Sequence, residues 1–113
     1  MTRDQVVFVD WPFSDRTGSR LRPAVVVQAD FLNNRIDDTV LVMVSRSQRA
    51  VGSTEALIDP AVETRSGLLY VSVASCNNVL TFDQGLVHRT VGELSAAAMR
   101  QIDECLKKAL ELP

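Results

Sequence analysis

Three arginines, a glycine and a proline fall together in Arg16-Thr17-Gly18-Ser19-Arg20-Leu21-Arg22-Pro23, and an apolar run, Ala24-Val25-Val26-Val27, follows at once. A guanidinium is a planar, permanently charged fork that grips phosphate or carboxylate through two parallel hydrogen bonds. Proline biases the residue before it toward extended geometry. Arg22 is therefore expected at the mouth of a buried strand, on a rigid element rather than a floppy one. A second cluster, Ser45-Arg46-Ser47-Gln48-Arg49, closes another apolar run. If the two strands are antiparallel neighbours, the start of one meets the end of the other, and Arg22, Ser45 and Ser47 converge. That set suits phosphate chemistry on RNA. There the 2′-hydroxyl is the nucleophile, arginine stabilises the extra negative charge, and a serine hydroxyl holds or relays a proton. The competing reading is that Ser45 only satisfies the backbone at a strand end.

Other catalytic sets are poorly represented. His88 is the single histidine, so one chain cannot supply a two-histidine acid/base pair, and it reads as an ordinary half-exposed strand residue. No His, Cys and carboxylate cluster has metal-ligand spacing, so no metal is expected. The five glycines are scattered and form no phosphate-cradling motif, so no cofactor is expected. Cys76 and Cys105 lack a neighbouring base and read as buried reduced thiols. Asp37-Asp38 reads as a solvated turn.

The elements that must position these groups follow from periodicity. Residues 5–10 and 23–29 read as strands, joined by a long loop over 11–22; long loops in small domains are usually functional or disordered. Residues 39–45 are nearly all apolar, as in a strand buried on both faces, and 54–58 form a short strand. Residues 68–76 alternate, and 79–82 and 86–91 make two more short strands around Asp83-Gln84-Gly85, a turn whose glycine suits a left-handed position. Ser95 can cap a closing helix over 96–112. Met99, Ile102, Leu106, Ala109 and Leu110 form its apolar stripe, with Arg100, Lys107 and Lys108 outside. The fold class is mainly β with a C-terminal helix (α+β), a small twisted barrel with a helix packed on it.

With 113 residues, 46% of them hydrophobic, the chain is expected to form a single domain over 1–113 with a genuine core. No apolar run approaches the roughly 20 residues of a membrane span, and residues 1–9 lack a signal-peptide layout, which points to the cytoplasm. The net charge of −2 argues against general attraction to nucleic acid. The sign is uneven, however. Residues 1–53 hold seven arginines against six aspartates, for +1, and 54–113 hold five bases against eight acids, for −3. Ten of the twelve bases are arginine, so any anion site is local and lies in the first half.

At these residues the chain resembles the MazF/PemK/Kid family of toxins from bacterial toxin–antitoxin pairs. The likeness runs from Val6-Val7-Phe8-Val9-Asp10-Trp11-Pro12-Phe13 through Arg22-Pro23-Ala24-Val25-Val26-Val27-Gln28 and Val44-Ser45-Arg46-Ser47-Gln48. It ends in Leu80-Thr81-Phe82-Asp83, Val91-Gly92-Glu93-Leu94-Ser95 and Ile102-Asp103-Glu104-Cys105-Leu106. The resemblance implies an SH3-like barrel, a homodimer, and a metal-independent, sequence-specific endoribonuclease acting on single-stranded RNA. Substrate would lie in a groove at the dimer interface, and a cognate antitoxin would block it with a tail that can be apolar and acidic. The family's catalytic arginine falls on Arg22. Its catalytic threonine falls on Ser45, or on Ser47 if the alignment shifts. Arg16, Arg20, Arg46, Ser47, Gln48 and Gln28 become candidate RNA contacts. Asn77 and Asn78 read either as base-edge readers or as a turn between strands. Two alternatives stand beside this reading: a CcdB-type gyrase-binding toxin, and a family member that binds RNA or antitoxin without cutting.

Overall fold

The computed structural model describes residues 1–46 and 51–113. Strands β1 (Gln5–Pro12) and β2 (Ser19–Val26) form a hairpin, and one helical turn, α1 (Asp30–Asn33), leads into β3 (Asp38–Arg46). Then come β4 (Glu55–Ile58), the long β5 (Ser72–Asp83), a 3₁₀ turn at Gln84–Leu86, β6 (Arg89–Glu93) and α2 (Ala96–Leu110). Neighbours are antiparallel, in the order β4-β5-β3-β2-β1-β6. The architecture is thus mainly β with a C-terminal helix, but the sheet is not closed: the edge strands β4 and β6 do not pair with each other. No described helix is long and apolar enough to cross a membrane.

Strand alternation divides the interior. Val6, Val25, Val42, Val44 and Cys76 face α2, which buries Ala98, Met99, Ile102 and Cys105 against them. Val7, Val9, Trp11, Ala24, Val26 and Leu41 form a second cluster. β3 contributes to both, as its apolar run predicts, and each fully buried Val, Leu or Ile contributes about 1.5–3 kcal/mol. Ser95 caps α2 as expected, accepting from the Ala98 N–H at 3.1 Å. The helix stops at Leu110 rather than 112 because Glu111 turns left-handed (φ 53°) and Leu112 N–H closes back onto Lys107 O at 2.8 Å.

Several boundaries differ from the sequence reading. Half of the expected long loop over 11–22 is strand: Trp11 pairs with Arg20 and Pro12 with Ser19, leaving a loop of 13–18 closed by Phe13 N–H on Gly18 O at 2.8 Å. Arg22 therefore lies within β2, opposite Val9, not at a strand mouth. β2 ends at Val26, and the polar stretch after it holds α1, which periodicity does not reveal in four residues. Residues 68–71 are not strand, and 72–83 are one strand with a bulge rather than two strands and a turn. The segment expected as a strand over 86–91 is a 3₁₀ turn and then β6. Gly85 is not left-handed; Asp83 instead accepts its N–H at 2.8 Å, which shapes the turn through a side chain. The glycines under real constraint are Gly67, at φ 73°, and Gly92. A methyl on either would strike backbone carbonyls, Val91 O for Gly67 and Arg65 O for Gly92. The 63–67 segment is thereby pressed onto β6.

Candidate functional site

Pro23 sets the geometry of the site. Val27 N–H donates to Val40 O at 3.0 Å, so odd-numbered residues here aim their N–H groups at β3. The β2–β3 register runs Val26↔Leu41, Val25↔Val42 and Ala24↔Met43, and stops. The next donor toward β3 would be residue 23, and proline has none. β2 continues against β1 as far as Ser19, while β3 continues against β5 as far as Arg46. A seam opens between them, and continuing the register across it sets Arg22 opposite Ser45. By alternation both share the face of Ala24 and Met43.

Arg22 lines two cavities. One, of about 550 Å³, is bordered by Trp11, Phe13, Arg16, Met43, Asn77 and Asn78. The other, of about 680 Å³, lies along the seam and is bordered by Ser45, Arg20, Arg46, Tyr70, Phe8 and Arg89. No Asp or Glu lines either one among the described residues. Asn77 and Asn78 reach the first cavity because β5 bulges there. Val42 pairs with Val79 and Met43 with Ser75, so residues 76–78 have no ladder partner on β3; Cys76 stays in the core, while Asn77 and Asn78 are left at the cavity. They are neither in a turn nor between two strands. Arg16 reaches the same cavity from the hairpin loop, at φ 63°. Asp15 beside it does not compete for arginine. The N–H and hydroxyl of Thr17, at 3.0 and 2.8 Å, hold its carboxyl below the usual range.

The structure thus brings together Arg16, Arg20, Arg22, Ser45, Arg46, Asn77 and Asn78, while Ser47, Gln48 and Arg49 lie outside the described residues. Gln28 is not brought to them. It lies six residues beyond Arg22, roughly 20 Å along an extended chain, and is only 8% exposed. Its amide donates to Asn33 Oδ1 and Asp38 O, both at 2.9 Å, and Thr39 Oγ1 joins the same Asn33 oxygen at 2.7 Å. That buried network fixes the chain between β2 and β3. His88 is not in a strand; its Nε2 lies 3.0 Å from Asp10 Oδ2 on the surface, lining neither cavity. Cys76 and Cys105 are free and buried, and burial pushes the Cys76 thiol up to about 12.

Sequence reasoning missed the aromatic side of the site. Arg46 Cζ sits 4.1 Å above the Tyr70 ring, and Arg89 Cζ 5.1 Å from that of Phe8. Only the pairing of β1 with β6, which sets Phe8 against Arg89, brings that arginine in from the far end of the chain. Among the described residues, no group of three or more His, Cys, Asp or Glu is placed to hold a metal ion.

Similar arrangements of strands and helix occur in solved toxin structures. An endoribonuclease in complex with its cognate antitoxin from Mycobacterial species is 23% identical, at a TM-score of 0.82 over 100% of this chain and 97% of that one. An endoribonuclease from Mycobacterial species is 25% identical, with a TM-score of 0.78 over 100% and 93%. A MazE-MazF structure from Deinococcus radiodurans is 14% identical, with a TM-score of 0.77 over 100% and 98%. Over residues 2–110 the chain matches the PemK-like, MazF-like toxins of type II toxin–antitoxin systems, and it belongs to that family. Nothing in these likenesses supports a gyrase-binding toxin.

Proposed function

We propose that this toxin is a sequence-specific endoribonuclease of single-stranded RNA, acting in the cytoplasm as a homodimer and neutralised by a cognate antitoxin. The observation that carries the reading is the seam at Pro23, where Arg22 and Ser45 line one cavity from opposite strands with no carboxylate in its lining. The endoribonuclease names borne by similar mycobacterial proteins support the same reaction. The substrate's 2′-oxygen attacks the adjacent phosphorus as the bond from phosphorus to the 5′-oxygen breaks. The 2′-proton is removed and the departing 5′-oxygen takes one up, leaving a 2′,3′-cyclic phosphate and a 5′-hydroxyl. Arg22 binds the phosphate oxygens where negative charge accumulates. Ser45 holds the 2′-hydroxyl or relays its proton. Arg20 and Arg46 hold neighbouring phosphates, and Arg16, Asn77 and Asn78 meet bases in the adjoining cavity.

The test is incubation of the purified chain with a long single-stranded RNA in excess EDTA, with the ends mapped. Discrete cuts bearing 2′,3′-cyclic phosphate are expected. Arg22→Ala should slow cleavage by about 10²–10³-fold, the range for losing one oxyanion-stabilising donor, with the thermal transition preserved. Equal cleavage by folded Arg22→Ala, or uncut RNA from folded wild type, would reject the reading.

A further inference from the structure

We infer that Tyr70 and Arg89, with Arg46, form a flanking-strand subsite that holds single-stranded RNA beside the cut, through a stacked base and backbone phosphates. The inference takes its ligand class, and the phosphate role of Arg46, from the nuclease reading, and adds Tyr70 and Arg89 to it. The seam cavity is ringed by Arg20, Arg22, Arg46 and Arg89. Among the described residues none of the four is ion-paired with a carboxylate. Four guanidinium groups around one cleft, with no carboxylate partner among the described residues and in a chain of net charge −2, mark it as an anion site. Two of them lie over aromatic rings, at 4.1 Å for Arg46 on Tyr70 and 5.1 Å for Arg89 near Phe8. Such stacking orients a guanidinium while leaving its N–H edge to donate. Tyr70 is 53% exposed, so part of its surface is open to a base.

The occupant follows from what the cleft adjoins. Arg22 and Ser45 line the same cavity, so a strand gripped at Arg22 runs directly onto Arg46, Tyr70 and Arg89. Charged groups tracking a backbone beside an aromatic platform are how proteins hold single strands without reading sequence. A second copy fits poorly: a twofold contact would set these arginines against their own counterparts, with no carboxylate in the lining to answer them.

The test measures binding of a fluorescent, random-sequence 2′-O-methyl RNA pool to the full chain by anisotropy across a salt series. This probe has no 2′-hydroxyl to attack, and its random sequence isolates backbone and stacking contacts. Tyr70→Ala and Arg89→Ala should each weaken binding about tenfold. Arg89→Ala should also reduce the slope of log K against log salt by about 0.7, one phosphate's share for a single strand. Arg46→Ala should repeat the Arg89 result, and Arg89→Lys should keep the slope while losing part of the affinity. Unchanged affinity and slope in variants that melt like wild type would overturn the inference. So would a drop in sedimenting mass, or weaker binding of the antitoxin alone, with pool binding intact. If wild type fails to cut RNA yet binds the pool through Tyr70 and Arg89, the nuclease reading falls and this subsite stands. If it cuts RNA and pool binding ignores both residues, the subsite falls alone.

Discussion

Ser45 offers a hydroxyl without the methyl that would stiffen its rotation. A β-branched threonine has fewer accessible rotamers, so in the proposed reaction the choice of serine would bear on how often the hydroxyl points at substrate rather than on its chemistry. Ser45→Ala should lower kcat by about 10²-fold, in the range for one positioned proton-transfer group, with KM nearly unchanged. Ser45→Thr should keep or raise kcat, and single-turnover cleavage of the mapped RNA separates the two cases. An inert Ser45→Ala would move the hydroxyl role to Ser47. A second residue-scale prediction concerns Asp4, held at φ 91° with its N–H on Val26 O at 3.0 Å and its carbonyl accepting from Leu94 at 2.9 Å. Burial, then the charges of Glu93 and Asp30, raise its pKa above 3.8. Near neutrality its carboxylate is charged in both folded and unfolded chains, and that charge opposes folding. Below 3.8 it is protonated in both states and the penalty is gone. Asp4→Asn, which also tolerates positive φ better, should therefore stabilise the fold at pH 7. The gain should shrink as pH falls through the acid range. Urea melts of both proteins at pH 7 and 3.5 check this, and a larger gain at the lower pH would contradict it.

At the scale of elements, a missing N–H on Pro23 parts β2 from β3. Pro23→Ala restores the donor, so the ladder should extend by one pair and draw Arg22 and Ser45 together. Amide exchange at residue 23 should become protected. Cleavage should fall by about tenfold or more, since misplacement near 1 Å costs rate heavily, while the melting temperature holds or rises. Unprotected exchange at residue 23 would show that something other than proline holds the seam open. Much of this was legible in the sequence: the Arg-Pro pair, the doubly buried β3 and the Ser95 cap each rest on local chemistry. The β5 bulge was not, because it exists only relative to the register of β3. Nor were Arg89 and Tyr70, since their partners Phe8 and Arg46 meet them only across strand pairings and packed loops. Gln28 misled for a related reason. A polar residue just past an apolar strand looks available to substrate until Asn33 and Asp38 are seen to engage it.

At the scale of the whole molecule, the charge and the site oppose each other. A chain of net −2 repels RNA at long range, while in the proposed complex the arginines of the two cavities would attract it at contact. Association should gain little from steering, and affinity should come from short-range phosphate contacts. For a single strand each such contact carries a slope of about −0.7 in log K against log salt. Three or four phosphates on Arg20, Arg22, Arg46 and Arg89 therefore predict a slope of about −2 to −3 for kcat/KM at subsaturating RNA. Both lysines lie on α2, away from either cavity, so the bases around the site are all arginine, the side chain whose guanidinium is charged at any working pH. The slope should accordingly be the same at pH 6.5 and pH 8.5. Initial cleavage rates between 50 and 300 mM salt at both pH values would test it. A flat dependence would mean that bases and apolar contacts hold the RNA. A slope that changes with pH would mean that groups other than these arginines hold the RNA.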